Sequence, residues 1–209
     1  MSLETWLTYF ATVLAFMITP GPSHLLMLSN SIAYGFNRSL ATAAGDLTAN
    51  AFQMLAAGLG LAAILVASQN ALMAVKWFGV AYLVWMGVRM WRHADQAAST
   101  ADASRSASLM MLWRQGFLTS AANPKAVVFF AALFPQFIDP NASFIPQFLI
   151  LSITYLAVDG AFLSSYGISA SWLASKLKGK ATMLVNRIGS VFLLGAAIML
   201  ALKRLRLAS

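Results

Sequence analysis

Long apolar runs with almost no charges are the feature that most constrains the fold of this 209-residue chain. Hydrophobic residues make up 60% of the sequence and charged residues only 10%, whereas soluble domains carry about 25% charged residues. So few charges do not suit a surface that faces water, and we predict the lipid bilayer as the solvent. Because the runs are continuous and do not alternate with polar residues, we predict helices.

Six runs approach the roughly 20 apolar residues that a helix needs to cross a bilayer. These predicted spans are 5–28, 39–67, 71–91, 114–138, 145–172 and 184–205. The segment 92–108 contains small and polar residues without large apolar ones, and we predict a flexible cytoplasmic loop there. This loop divides the chain into 1–91 and 109–209, each with three predicted helices.

The two halves share features in the same order, which indicates an internal repeat. The first span of each half contains a proline, Pro20 or Pro124, and the second contains a carboxylate, Asp46 or Asp159. The third spans contain the similar runs GVAYL and GSVFL. Three crossings are an odd number, so the second half enters the membrane from the opposite side. We therefore predict an all-α membrane protein of six transmembrane helices in two inverted three-helix repeats, a common plan of secondary transporters.

The basic residues predict the orientation of the chain. Nine of the 14 Lys and Arg residues lie near the loops that follow the first, third and fifth spans. They are Arg38, Arg89, Arg92, Arg105, Arg114, Lys176, Lys178, Lys180 and Arg187. The positive-inside rule places these loops in the cytoplasm and both termini outside it. The net charge of +8 thus indicates membrane orientation, and we predict no nucleic-acid partner.

Pro20, Gly21 and Pro22 interrupt the first predicted span. Each proline lacks a backbone N–H and clashes with the preceding turn, so we predict a break and a new half-helix that starts directly after it. The free N–H groups and the positive dipole end of this half-helix, which includes Ser23, suit a substrate carboxylate. The alternative is a plain kink, since membrane helices tolerate Pro and Gly.

Asn123, Pro124 and Lys125 form the corresponding interruption in the fourth predicted span. A cation inside an apolar span costs about 2.5–3.5 kcal/mol on insertion scales, so Lys125 should face protein or water and have a partner. We predict that these three residues contribute to the substrate site. Lys125 would bind the substrate carboxylate or pair with an aspartate. The alternative is a lysine that extends to the cytoplasmic interface.

Asp46 and Asp159 lie within the second and fifth predicted spans. Asn50 follows Asp46 by four residues, so the two share one helix face. Ionisable residues inside a membrane span usually have a function, and we predict proton coupling by these residues or an ion pair with Lys125. A lone histidine, His24, follows the first interruption, and we interpret it as a hydrogen-bonding group.

With these motifs in view, the sequence resembles the LysE/RhtB family of amino-acid exporters over nearly its whole length. The resemblance rests on Pro-Gly-Pro at 20–22, Asn-Pro-Lys at 123–125 and the run GVAYLVWMG at 79–87. It implies export of amino acids such as threonine, homoserine, leucine or a basic amino acid, driven by the proton-motive force across the bacterial inner membrane. The few fixed charges favour small neutral amino acids, with protons as the second partner.

Other classes of function fit the sequence less well. An intramembrane enzyme needs a nucleophile with a base, or a metal cluster, and the chain has two histidines and neither Gly-x-Ser-x-Gly nor His-Glu-x-x-His. The lack of cysteine argues against a redox carrier. We therefore predict no enzymatic activity, no cofactor and no metal site. A metal or small-cation exporter remains the alternative function, and a homodimer is compatible with the sequence, although no motif indicates one.

Overall fold

The computed structural model describes residues 1–18, 20–60 and 107–177, together with single helical residues between 73 and 92 and between 187 and 202. Its continuous helices are α1 (Leu3–Ile18), α2 (Pro22–Tyr34), α3 (Phe36–Gly58), α4 (Leu109–Ala121), α5 (Pro124–Val128) and α6 (Phe144–Leu177). Helix α5 continues as a π-helical turn, Phe129–Leu133, and a 3₁₀ turn, Phe134–Phe137. No strand occurs within this described part of the chain, which confirms the predicted all-α class.

Two breaks divide what the sequence predicts as single spans. Helices α1 and α2 meet at 59°, and α4 and the helical segment after it meet at 58°. Each break is followed by a proline at the start of the next helix, Pro22 in α2 and Pro124 in α5. A proline at the first helical position needs no N–H partner, so it begins a helix readily and does not continue the previous one.

The structure corrects one predicted boundary. The second span was predicted at 39–67, but α3 runs from Phe36 to Gly58. The helix ends there because Leu59 leaves the helical conformation and Gly60 adopts φ = 75°, a left-handed backbone that glycine permits. Residues 61–67 lie outside the described residues.

Only isolated residues of the third and sixth predicted spans and few residues of the predicted loop at 92–108 are described, so the count of six spans stays a prediction. Within the described part, Ser190 Oγ donates a hydrogen bond of 2.8 Å to the carbonyl oxygen of Gly87, one residue from each of these spans. By length and composition, Phe144–Lys176 can cross a membrane, and each bent helix pair can do so as one broken span.

Glycines allow α3 and α4 to pack with their backbones in contact. A Cβ atom on Gly45 would collide with the carbonyl oxygen of Trp113, and a Cβ atom on Gly116 would collide with the carbonyl oxygen of Thr42. Small residues at such crossings are typical of membrane helix pairs, where close packing replaces the hydrophobic effect. This contact brings the Asp46 face of α3 against the end of α4.

Two layers of different chemistry lie along the described helices. The aromatic layer consists of five buried rings on α1, on the segment after α5 and on α6, namely Tyr9, Phe129, Phe130, Phe134 and Tyr155. The polar layer joins α2, α3 and α4 by side-chain hydrogen bonds. In it, Asn30 Nδ2 donates to Thr42 Oγ1 at 2.8 Å and to Gln115 Oε1 at 3.1 Å, and the hydroxyls of Ser31 and Ser39 lie 2.6 Å apart.

We expect Gly116→Ala to lower the stability of the protein, because the new methyl group would push α4 away from the α3 backbone. Overpacking of this kind costs about 1–3 kcal/mol. The measurement is the midpoint of thermal unfolding in detergent. Gly160→Ala on α6 is the matched control, because its Cβ would lie 3.5 Å from Leu47 Cδ1, an ordinary contact. Equal unfolding midpoints for the two variants would contradict the close crossing.

Candidate functional site

The break between α1 and α2 leaves a backbone carbonyl without its helical donor. In a continuous helix the oxygen of Phe16 would accept a hydrogen bond from the N–H of residue 20, but Pro20 has none. Lys125 Nζ supplies the donor instead, at 2.6 Å from Phe16 O. The same ammonium lies 4.1 Å from the centroid of the Phe16 ring. A cation at the negative end of α1 is favourable for the helix dipole as well.

At the break between α4 and α5, a side chain from the first half of the chain donates to a backbone carbonyl in the second half. Pro124 cannot donate to Ser120 O, which accepts 3.2 Å from Gln53 Nε2 on α3 and 3.0 Å from the Asn123 N–H. Asn123 Oδ1 caps α5 by accepting from the Lys125 N–H at 3.1 Å. Lys125 from the second half therefore caps the first break, and Gln53 from the first half caps the second break.

The start of α2 is fixed by a side chain of its own first turn. The Gly21 N–H donates to His24 Nδ1 at 3.4 Å, which is the reciprocal contact of a capping box. The imidazole is 5% exposed, and its ring packs edge-on against Tyr166 with centroids 5.0 Å apart. The break and the first turn of α2 are thus held in one geometry.

Two carboxyl groups meet beside these breaks. Asn50 Nδ2 donates to Asp46 Oδ2 at 2.9 Å and to Asp159 Oδ2 at 2.7 Å, and Asn50 Oδ1 accepts from Ser120 Oγ at 2.8 Å. Asp46 is 2% exposed and Asp159 3% exposed. Two buried carboxylates that share one amide repel each other when both are charged, so a proton or another cation between them is favourable.

A small cavity, with a volume of about 20 Å³, lies where the breaks and the carboxyl pair meet. This is room for about one water molecule. All six continuous helices or their breaks contribute to its wall. The lining residues are Phe16, Met17, Gly21, Ser23, His24, Asp46, Asn50, Ser120, Asn123, Lys125, Ala126, Tyr155 and Asp159.

Most of the predicted site residues come together in this cavity. Among the residues that line it are Gly21, Ser23, Asn123, Lys125 and all three members of the predicted coupling group, Asp46, Asn50 and Asp159. Pro20, Pro22 and Pro124 are not among the lining residues, but each adjoins one of them in the sequence. Lys125 is half-buried and points at the end of α1, which differs from the alternative of a lysine extended to the interface.

Sequence reasoning missed Ser120 and did not place His24 at the start of α2, although it interpreted His24 as a hydrogen-bonding group. His24 occupies the third position after the helix cap Gly21, a spacing that indicates a capping box and could have placed its ring at the break. No comparable signal marks Ser120, because its partner Asn50 comes from another helix. Within the described ranges, no group of three or more His, Cys, Asp or Glu side chains could hold a metal ion.

We expect Asn50→Leu to destabilise the protein, because it removes the donor shared by two buried carboxyl groups. A buried polar group left without a partner costs about 1–3 kcal/mol, and more when it is charged. The measurement is again the thermal unfolding midpoint in detergent. Thr48→Ala is the control on the same helix, since the Thr48 hydroxyl donates only to Ala44 O of its own turn among the described contacts. An unchanged midpoint for Asn50→Leu would show that Asn50 does not bridge the pair.

Comparisons with known proteins agree with the resemblance seen in the sequence. The model of a family described as LysE type translocator matches residues 14–204. A homoserine/homoserine lactone efflux protein of Salmonella typhimurium is 33% identical over 95% of this chain and 97% of its own. A leucine efflux protein of Klebsiella pneumoniae is 29% identical over 94% of each chain.

A membrane protein of Vibrio cholerae is 35% identical over 96% of this chain and 98% of its own. No solved structure matches the chain. The family match covers both halves and both proline breaks, and the relatives match over nearly their full lengths. The chain belongs to the LysE family of membrane translocators.

Proposed function

We propose that the protein exports small neutral amino acids from the cytoplasm across the bacterial inner membrane, driven by the proton-motive force. The observation that carries the proposal is the cavity in which an ammonium group, a helix N-terminus and a carboxyl pair face one another at two broken helices. Broken helices that meet near the middle of a membrane form the substrate sites of many secondary transporters.

The substrate carboxylate binds between Lys125 and the first turn of α2. Lys125 Nζ donates to the carbonyl of Phe16, and a carboxylate is a stronger acceptor than a backbone carbonyl. A substrate carboxylate that binds the Lys125 ammonium in place of the Phe16 carbonyl therefore weakens the hydrogen bond that caps α1. Binding is coupled in this way to the first break, and so to movement of one half of the protein against the other.

The charges of the cavity favour a neutral amino acid. Lys125 matches the carboxylate and one aspartate matches the α-ammonium, which leaves the other aspartate for a proton. Homoserine, its lactone and leucine, for which the relatives are named, all carry an α-ammonium beside a carbonyl carbon and no charged side chain. We extend this chemistry to the present chain.

The two layers fit a direction of transport from the cytoplasm outwards. With the orientation predicted by the basic loops, the polar layer of Asn30, Ser31, Ser39 and Thr42 lies on the cytoplasmic side of the cavity. The aromatic layer then closes the outer side. A zwitterion leaving the cytoplasm meets hydrogen-bonding groups first, and the aromatic layer must open before it reaches the exterior.

The first test of this site is Lys125→Gln. Glutamine keeps an N–H donor for the Phe16 carbonyl but loses the positive charge, so we expect a folded protein with impaired export. Loss of a hydrogen bond to a charged group corresponds to about 1.5–3 kcal/mol, or a rise of about 10- to 100-fold in half-saturating substrate concentration. Uptake of labelled homoserine and leucine into everted vesicles measures the effect. Lys176→Ala, at the end of α6, is the control, and wild-type transport by both variants would refute the role of Lys125.

The second test concerns coupling, and its variant is Asp159→Asn. Asparagine still accepts the hydrogen bond from Asn50 but cannot carry a proton, so we expect exchange of labelled for unlabelled amino acid to continue while accumulation is lost. In the wild type, each proton that enters per substrate supports about a 50-fold gradient per 100 mV. The measurement compares exchange with uphill uptake in everted vesicles, with and without a protonophore. Protonophore-sensitive accumulation by the variant would exclude Asp159 as the proton carrier.

A further inference from the structure

Two atoms in the wall of the cavity are buried polar atoms without a hydrogen-bond partner among the described residues. They are His24 Nε2 and Asp46 Oδ1. A buried polar atom normally has a partner, and one that lines a cavity is available to a ligand. The two come from different helices, α2 and α3, and they have opposite hydrogen-bonding characters.

The character of His24 Nε2 follows from its other ring nitrogen. Nδ1 accepts the hydrogen bond from the Gly21 N–H, so it carries no proton. In a neutral imidazole the proton then lies on Nε2, which makes Nε2–H a donor. The edge-on contacts with Tyr166 and Phe162 hold the ring in this orientation. The first turn of α2 thus presents a fixed side-chain donor to the cavity.

The character of Asp46 Oδ1 follows from the carboxyl pair. Its sister atom Oδ2 accepts from Asn50 at 2.9 Å, so the carboxyl group is fixed and Oδ1 remains as an acceptor. Asp46 is 2% exposed, which leaves water little access. A buried anionic oxygen in this position favours a cation with hydrogens to donate, such as an alkylammonium group.

We propose that these two atoms bind the two ends of the substrate. Asp46 Oδ1 accepts a hydrogen bond from the α-ammonium of the substrate, and His24 Nε2–H donates one to its carboxylate or ester carbonyl. The inference rests on the proposed function and deepens it. The substrate class is then α-amino acids and their α-amino carbonyl derivatives with a free ammonium group. N-acylated amino acids and simple carboxylic acids bind more weakly than amino acids do, because they leave Asp46 without a partner. His24 is a substrate-binding residue in addition to its role at the start of α2.

Paired variants separate the two roles of His24. In His24→Asn the side-chain oxygen can still accept from the Gly21 N–H, but no atom reaches the position of Nε2. In His24→Gln the terminal amide can reach that position and donate, while the contact with Gly21 is lost. A residue needed only for capping is replaced better by Asn, and a residue needed as a donor to substrate is replaced better by Gln.

The experiment measures exchange of labelled L-homoserine in proteoliposomes and its inhibition by two fragments. The fragments are 3-aminopropan-1-ol, which lacks the carboxylate, and 4-hydroxybutyrate, which lacks the ammonium. We expect His24→Asn to raise the half-saturating concentration of homoserine about 10-fold or more, and to leave inhibition by 3-aminopropan-1-ol unchanged. His24→Gln should stay within about 3-fold of the wild type. Asp46→Asn should weaken homoserine and 3-aminopropan-1-ol together and leave 4-hydroxybutyrate unchanged.

Several results would overturn the inference while leaving export intact. They are homoserine exchange by His24→Asn that equals the wild type, equal weakening of homoserine and 3-aminopropan-1-ol in that variant, and inhibition by 3-aminopropan-1-ol that Asp46→Asn does not alter. Failure of the proposed function has a different signature. In that case the wild-type protein exchanges neither homoserine nor leucine, and the inference falls with it.

Discussion

A backbone carbonyl in an apolar environment needs a hydrogen-bond donor, and Pro20 removes the donor that Phe16 would have in a continuous helix. The rest of the site depends on how this carbonyl is satisfied. Lys125, from the other half of the chain, reaches it at 2.6 Å, and Gln53 does the same for Ser120 across the second break. Each half therefore supplies a side-chain donor to a carbonyl at the break in the other half, and at the second break the Asn123 N–H of the same segment donates to Ser120 as well.

This exchange of caps explains why a binding cavity forms at this place. The breaks bring backbone N–H and C=O groups to the interior, and their partners bring an ammonium and an amide. The carboxyl pair of Asp46 and Asp159, held by Asn50, completes the wall. In the proposed mechanism a zwitterionic substrate competes for the same groups, and its binding energy is then available to change the contact between the halves. In this mechanism the two proline breaks couple substrate binding to movement of the whole protein.

The sequence predicts well those features whose cause is local. A proline lacks its N–H wherever it stands, so both breaks and the start of α2 at Pro22 follow from the chain alone. The predicted end of the second span, at residue 67, lies several residues beyond the end of α3 at Gly58. The prediction was wrong because the helix ends at the left-handed turn of Gly60, which lies inside an otherwise apolar run. The partners of Lys125 and Gln53 were not predictable, since they are backbone oxygens that only the packed helices bring within reach.

The most direct test of the central claim is an experimental structure of the protein with L-homoserine bound, at a resolution that distinguishes the two ends of the amino acid. The account predicts homoserine between the two breaks, with its carboxylate at Lys125 and its ammonium at the carboxyl pair, and a Lys125 ammonium that has left the Phe16 carbonyl. Homoserine bound at another place, with Lys125 still on Phe16, would contradict it.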